Sequence, residues 1–299
     1  MKVLVAGGGG FIGSYLCRAL ADGGHEVTAL SRSPADVPEG VESATGDVTA
    51  YDSIEPAVEG HDVVVNLVAL SPLFEPKGGN EMHDRVHRGG TENLVRAAEA
   101  GGASRFIQMS ALGADPNGDT AYIRSKGQAE EVVRGSDLDW TIFRPSVVFG
   151  DGGEFVGFTK RLKKMFAPVV PMYPLPGGGN RTRFQPIHVE DLVPMLVAAV
   201  ETDDHVGETY EVGGPEVLTL REVTDLVYEA EKKGISIVPL PMPLAKVGLT
   251  VLGAVPGFPM GPDQYRSLSF DNTAAENDVG SFGVDEAEMT TLAGYLGVE

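Results

Sequence analysis

"VAGGGGFIGSYL", residues 5–16, sets three glycines, Gly7, Gly10 and Gly13, between a short apolar run and an amphipathic one. The spacing G-x-x-G-x-x-G at a strand-to-helix turn has a physical reason. Glycine lets the chain turn tightly and lets backbone N–H groups approach a pyrophosphate. It also lets the helix pack closely on the sheet, while the helix amino terminus adds partial positive charge. A glycine-rich turn without a ligand is the bland alternative, but the strand–turn–helix context at the head of an alternating chain favours a nucleotide site.

Working outward, "KVLVAG" (2–7), "EVTAL" (26–30), "DVVVNLV" (62–68), "RFIQMS" (105–110) and "WTIFRP" (140–145) read as buried strands. Between them lie stretches with helical spacing, such as Ile12, Leu16, Ala19 and Leu20, closed by Gly23-Gly24. Alternating strand and helix predicts an α/β fold, a Rossmann-type doubly wound parallel sheet. After residue 150 the texture shifts to Gly- and Pro-rich turns around one helix. "FQPIHVEDL" (184–192) and "TYEVGG" (209–214) then read as strand-like. The expected division is a dinucleotide-binding domain of residues 1–150 with about 184–214, and a smaller, discontinuous substrate domain of 151–183 with 215–299.

The end of the second strand selects the cofactor. A site preferring NAD usually places an acid there for the ribose 2′-hydroxyl. This chain reads "ALSRS", with Ser31 and Arg32. A guanidinium at that point can pair with a 2′-phosphate and stack on adenine, so NADP is expected, with NAD as the alternative; a merely solvated arginine is the bland reading. Asp47, in "GDVTAYDSI" (46–54), can accept from the adenine amino group or cap the following helix.

Composition narrows the partners. The net charge is −20, from 43 acidic against 23 basic residues, which repels nucleic acid and anionic surfaces. Acid scattered along the chain, with lysine scarce, points to a halophilic protein. Cys17 is the sole cysteine, which leaves no intrachain disulfide and no cysteine-based metal site. "MKVLVAG" reads as a strand rather than a signal peptide, no apolar run has membrane-spanning length, and a cytoplasmic location is expected.

"GGGGFIG" (7–13), "GDV" (46–48), "YIRSK" (122–126), "FRPSVVFG" (143–150), "FQPIHVEDL" and "YEVGGPEVLTL" (210–220) together resemble the short-chain dehydrogenase/reductase superfamily in its extended or atypical branch, the group of NAD-dependent epimerases and dehydratases. "SALGAD" (110–115), "RFQPIHVEDL" (183–192) and "EVGGPEVLTL" (211–220) resemble most the branch of the NADPH-binding accessory subunit of respiratory complex I. The match runs from residue 7 to 220; the remainder matches loosely.

The resemblance implies roles. Tyr122 would be the general acid or base and Lys126 the group that holds the nicotinamide ribose and favours tyrosinate. That fits the chemistry, because a nearby cation lowers a phenol pKa from its usual value near ~10. Gly7, Gly10, Phe11, Ile12, Gly13, Ser31, Arg32, Asp47 and Val48 would bind the cofactor, with Lys126, Pro145 and Ser146 at its nicotinamide end. Active members carry a Ser or Thr on the strand before the tyrosine. Here "QMSALG" (108–113) offers Ser110, while alignment puts Ala111 at the catalytic position. Ser110 serves after a small backbone shift, or is a strand-end serine.

Three other stretches have sharp and bland readings. "HDRVH" (83–87) has the look of a metal-binding helix, but the resemblance puts it on a loop beside the cofactor, and no metal is expected. "GFTKRLKKMF" (157–166) is a basic cluster, either an anion or membrane-surface site or an amphipathic cover whose cations balance nearby acids. Arg181 and Arg183 would face substrate by analogy, while His188 is expected to be structural. "PLAKVGLTVLGAVPGFP" (243–259) suits a lipid or quinone-like pocket, a partner surface or simple core.

The function expected is NAD(P)-dependent oxidoreductase or epimerase-type chemistry at a hydroxyl or carbonyl carbon. The substrate is open among sugar nucleotides, lipids and quinones, and relatives often form homodimers through helices near the Tyr–Lys segment. The alternative is a nucleotide-binding accessory or assembly protein of a respiratory or quinone-related partner, peripheral to the membrane, with little turnover.

Overall fold

The computed structural model describes residues 1–33, 36–166, 172–241, 243, 244, 263, 266 and 270–298. The apolar stretch 243–259 therefore lies, past its first two residues, outside the described residues. In chain order the first elements are β1 (Lys2–Ala6), α1 (Phe11–Asp22), β2 (Glu26–Ser31), β3 (Val41–Thr45), α2 (Tyr51–Val58) and β4 (Val63–Asn66). Then come α3 (Glu81–His83), a π turn (Asp84–Arg88), α4 (Gly89–Gly101), β5 (Arg105–Met109), α5 (Ala121–Arg134) and β6 (Asp139–Pro145). The chain continues through β7 (Val148–Phe149), α6 (Phe155–Phe166), β8 (Met172–Pro176), β9 (Arg183–Phe184), β10 (Ile187–His188), α7 (Val189–Glu201) and β11 (Thr209–Val212). It closes with β12 (Leu218–Thr219), α8 (Leu220–Ala230), β13 (Ser236–Leu240) and a last short helix, α9 (Leu292–Leu296).

Two compact units emerge. The first comprises Met1–Leu70, Pro76–Pro145 and Val189–Glu211; the second comprises Ser71–Glu75, Ser146–His188 and Val212–Glu299.

In the first unit seven strands form one sheet in the order β11-β6-β5-β4-β1-β2-β3. The pairs β1–β2, β2–β3, β1–β4, β4–β5 and β5–β6 are all parallel. Parallel strands need helical crossovers, which cover both faces, so a strand buried on both sides reads as a continuous apolar run. Val3, Leu4, Val5 and Ala6 accordingly have no exposed surface. On one face Leu4, Leu30, Ile54, Val64, Phe106 and Ile142 join a single core cluster. Each such side chain contributes about 1.5–3 kcal/mol by leaving water. Strands are added on one side of β1 and then on the other, so the order reverses between β1 and β4. Open sheets of this kind bind ligands at the carboxyl ends of the strands beside such a reversal.

Local chemistry fixes the helix limits. Gly23 and Gly24 end α1, with Gly24 left-handed at φ 83°, and Gly102, also at φ 83°, ends α4. The α7 carboxyl terminus is closed by a strand residue: buried Arg105 donates to the carbonyls of Ala199, Val200 and Thr202. The stretch 184–192 departs from the strand expected of it. Only Ile187 and His188 pair in β10, and α7 begins at Val189, where Glu190 and Asp191 in its first turn complement the helix dipole.

The second unit holds three small two-stranded sheets, β7–β10, β8–β13 and β9–β12. Its core contains Phe149, Phe158, Tyr173, Phe184, Val223 and Leu292. Helix α8 starts with a reciprocal cap: the Glu222 N–H donates to the Thr219 hydroxyl, and the Glu222 carboxylate accepts from the Thr219 N–H at 2.7 Å. In α6, Lys160 pairs with Glu231 and Arg161 with Glu154, so part of the basic cluster balances local acids. Among the described residues no helix is long and apolar enough to cross a membrane.

Candidate cofactor and proton-transfer site

Gly7 and Gly13 are required by the backbone itself. Gly7 is left-handed at φ 85° and donates to Leu30 O at 2.8 Å; Gly10 donates to Gly7 O at 2.9 Å and caps α1. A Cβ on Gly13 would stand 2.2 Å from Gly7 O and 2.7 Å from Gly8 Cα, so α1 can seat itself on the loop only through a hydrogen. Gly8, which the sequence did not single out, is as confined, its Cβ falling 2.6 Å from Ala29 Cβ. Phe11, Ile12 and Gly13 carry the first N–H groups of α1, which no carbonyl within the helix can reach. Such a cradle fits a pyrophosphate. Ser31 stands beside it: its hydroxyl accepts the Gly9 N–H at 3.1 Å and holds the loop to the end of β2.

At the far edge, Arg32 is exposed just past β2. The Asp47 carboxylate accepts the Thr49 N–H at 2.9 Å and the Thr49 hydroxyl at 2.8 Å, shaping the turn into α2. Burial raises its pKa, but the Thr49 hydrogen bonds and the charges of Arg32 and Arg85 outweigh that and hold it below the usual range. Val48 is buried under α4: its carbonyl accepts from Asn93 at 2.8 Å, and a Cβ on Gly90 would meet its Cγ2 at 2.8 Å. This packing brings the π turn, and Arg85 with it, toward the Asp47 edge. Sequence reasoning missed Arg85; its one signal was a cation in an acidic chain.

Tyr122 and Lys126 rise from one face of α5, which Thr120 caps by accepting the Ile123 N–H at 3.2 Å. Lys126 is 1% exposed, donates to Met109 O at 2.9 Å and lies 6.0 Å from the Tyr122 ring centre. Burial lowers the Lys126 pKa to about 8, against the opposing pull of Glu130. Burial also pushes the Tyr122 phenol above its ordinary value.

His83 and His87 meet the Tyr122 ring edge to face, at 5.6 and 5.4 Å. The Leu70 N–H donates to His87 Nε2 at 2.9 Å, so the proton of the neutral ring sits on Nδ1, 2.9 Å from the Ser125 hydroxyl, which in turn donates to Tyr122 O. Burial, then Lys126 and His83, keep the His87 pKa well below 6.5. "HDRVH" thus frames the tyrosine. Among the described residues no group of three or more His, Cys, Asp or Glu converges as a metal site.

Ser110, for which both a catalytic and a strand-end role were expected, is engaged by Glu130 in this structure. Its hydroxyl donates to Glu130, which is 1% exposed and also accepts from Arg144 at 2.7 and 2.8 Å and from Arg134 at 2.9 Å. Pro145 ends β6, its carbonyl accepting the Leu112 N–H at 3.3 Å. Ser146, expected at the nicotinamide end, is a knot of the second unit. Its hydroxyl lies 2.7 and 2.8 Å from Asn272 O and Oδ1 and accepts the Gln185 N–H at 3.2 Å. Arg183 forks onto Asp271 at 2.6 and 3.0 Å, a pairing that occupies the guanidinium expected to meet substrate. The His188 ring lies against Phe149 and Tyr295, at 5.1 and 5.4 Å.

A glycine loop at the reversal of a parallel sheet, followed after β5 by a Tyr-x-x-x-Lys helix, defines a dinucleotide-binding protein of the short-chain dehydrogenase/reductase type. The chain belongs to the NAD(P)H-binding family, whose profile matches residues 7–167. It is 31% identical to the mitochondrial NADH dehydrogenase [ubiquinone] 1 alpha subcomplex subunit 9 of Arabidopsis thaliana, over 91% of this chain and 71% of that one. It is 32% identical to the ceramide reductase of Caulobacter vibrioides, over 67% of this chain and 61% of that one. The fold matches the Thermus thermophilus UDP-glucose 4-epimerase complex with NAD at a TM-score of 0.71 and 22% identity, covering 100% of this chain and 98% of that one.

Proposed function

We propose that the protein is an NADP-dependent oxidoreductase or epimerase-type enzyme acting at a hydroxyl or carbonyl carbon, with Tyr122 as its acid/base. The observation that carries this reading is the pair itself. Tyr122 and a lysine 1% exposed share one helix face, and the lysine is fixed by the carbonyl at the carboxyl end of β5. A scaffold has no use for an ammonium group so costly to bury. A bound nicotinamide would supply or accept the hydride. The chain's part is to hold the pyrophosphate on the loop from Gly7 to Gly13, the ribose on Lys126, and a proton on the Tyr122 oxygen. Arg32 and Arg85, cations close enough to Asp47 to lower its pKa, support NADP over NAD. A cytoplasmic location belongs to the same reading.

The test is oxidation of NADPH by the purified protein with sugar nucleotides, carbonyl lipids and quinones, repeated with Tyr122→Phe. Turnover that survives the substitution refutes the role of Tyr122.

A second reading rests on its own observations. Ser110 is tied to Glu130 and Ala111 stands next to it, which leaves the site without the usual hydroxyl for a substrate oxygen. The Arabidopsis relative is named as a subunit of NADH dehydrogenase. On this reading the protein keeps NADPH as a structural or redox-sensing ligand and docks on a respiratory partner. Tight NADPH binding with no turnover across the panel, together with a stable co-purifying complex, would favour it.

A further inference from the structure

Glu130 lies one turn beyond Lys126 on α5 and is among the most buried of the described acids, at 1% exposed. A carboxylate so far from water needs partners, and it has several. Ser110, at the end of β5, donates to Oε1; Arg144, on β6, forks onto both oxygens; Arg134 reaches Oε2 from the next turn of α5. Arg144 continues to Glu211, 3.6 Å away. The same strand end presents Met109 O, one residue before Ser110, to Lys126 Nζ. Glu130 and Lys126 therefore grip adjacent residues of a single strand end.

We propose that Glu130 is a positioning residue for Lys126, fixing through Ser110 the strand end on which the ammonium group rests and supplying its counter-charge. This rests on the reading of Lys126 as the residue that holds the cofactor ribose. The groups around Lys126 are Tyr122 and Glu130 on its own helix and His87 on the π turn, with His83, the last residue of α3, against Tyr122 and His87, and Arg134 and Arg144 on Glu130. His87 is held neutral, and the two arginines are shared with Glu130. Glu130 is thus the acid whose charge opposes the effect of burial on Lys126.

The role separates from simple packing by its pH signature. NADPH affinity, measured by titration of the intact protein between pH 6 and 10, should weaken as Lys126 loses its proton. In Glu130→Gln the shape stays and the charge goes, so that alkaline limb should move to lower pH by about one unit, a loss of affinity of about fivefold at pH 8 that approaches tenfold above about pH 9. Arg144→Gln leaves Glu130 charged and removes a competing cation, so the limb should move the other way. Loosening of the fold cannot shift it in opposite directions, and Arg144→Gln keeps the test open should Glu130→Gln not fold. Lys126→Met should abolish the limb. A limb that Lys126→Met removes but neither Glu130→Gln nor Arg144→Gln moves overturns the role of Glu130 alone. A limb that persists in Lys126→Met, or is absent from the parent protein, overturns the reading of Lys126 and this inference with it.

Discussion

Lys126 donates an ammonium N–H to the Met109 carbonyl at 2.9 Å and stands 6.0 Å from the centre of the Tyr122 ring. The two side chains share a helix face, yet the cation is anchored to the strand end and the phenol is surrounded by histidine edges. Ionisation of Tyr122 is opposed by its surroundings, so on the enzyme reading its proton moves only when a substrate oxygen is there to exchange it.

Tyr122→Phe removes one oxygen and leaves the ring packed on His83 and His87. Turnover should fall by about 100-fold or more. NADPH affinity should stay within about twofold and stability within about 0.5 kcal/mol. Steady-state rates, cofactor titration and a denaturant melt read the three separately.

Gly13→Ala drives a methyl into Gly7 O and Gly8 Cα, both backbone atoms. A cost of about 1–3 kcal/mol is expected, with loss of dinucleotide binding as the loop is pushed aside. Gly157, within α6, is the control: a Cβ there meets nothing within 4 Å. Gly157→Ala should stabilise by about 0.5–1 kcal/mol in the same denaturant assay.

Arg32→Ala and Arg85→Ala should each weaken NADPH about tenfold and NADH far less, because only the 2′-phosphate distinguishes the two ligands, whereas stacking of Arg32 on adenine is common to both. The NADPH effect should shrink in high salt. Equal losses for both dinucleotides would reject a 2′-phosphate role.

His87 makes stability depend on pH. In the fold it stays neutral well below 6.5, whereas the unfolded chain takes up the proton near that value. The stability it confers is complete above pH 6.5 and is lost as the pH falls below it, by up to about 1.4 kcal/mol per unit. Melts from pH 7.5 to 4.5 should show a shallower acid slope for His87→Asn than for the parent chain.

With a net charge of −20, the folded chain repels itself in dilute buffer. If the acidic surface is a salt adaptation, the unfolding midpoint should rise steadily into molar KCl. A midpoint independent of salt would remove the halophilic interpretation.

What could be read from the chain follows the range of the forces involved. The glycine loop, the strands around it and the spacing of Tyr122 and Lys126 are local patterns, and they stand in the structure where the sequence puts them. Ser110 and His87 were ambiguous because their partners are distant: Glu130 lies on the next helix, and Leu70 on the loop after β4. A π turn, which no periodicity announces, brings two histidines that look like metal ligands edge-on to a tyrosine. Ser146 and Arg183 have partners that no local pattern announces. Their partners, Asn272 and Asp271, come from the part of the chain that the family pattern covers loosely.

Gly13 has one more lesson, for descent. What forbids a methyl at that position is the chain's own carbonyl at Gly7, and no bound molecule is needed to enforce it. A lineage that abandoned its dinucleotide would go on inheriting the glycine for as long as the helix kept its seat. Arg32 and Arg85, exposed at the rim, would be the first to drift. Among descendants of this chain, the arginines are the better witness to a retained ligand, and the glycine loop testifies only to architecture.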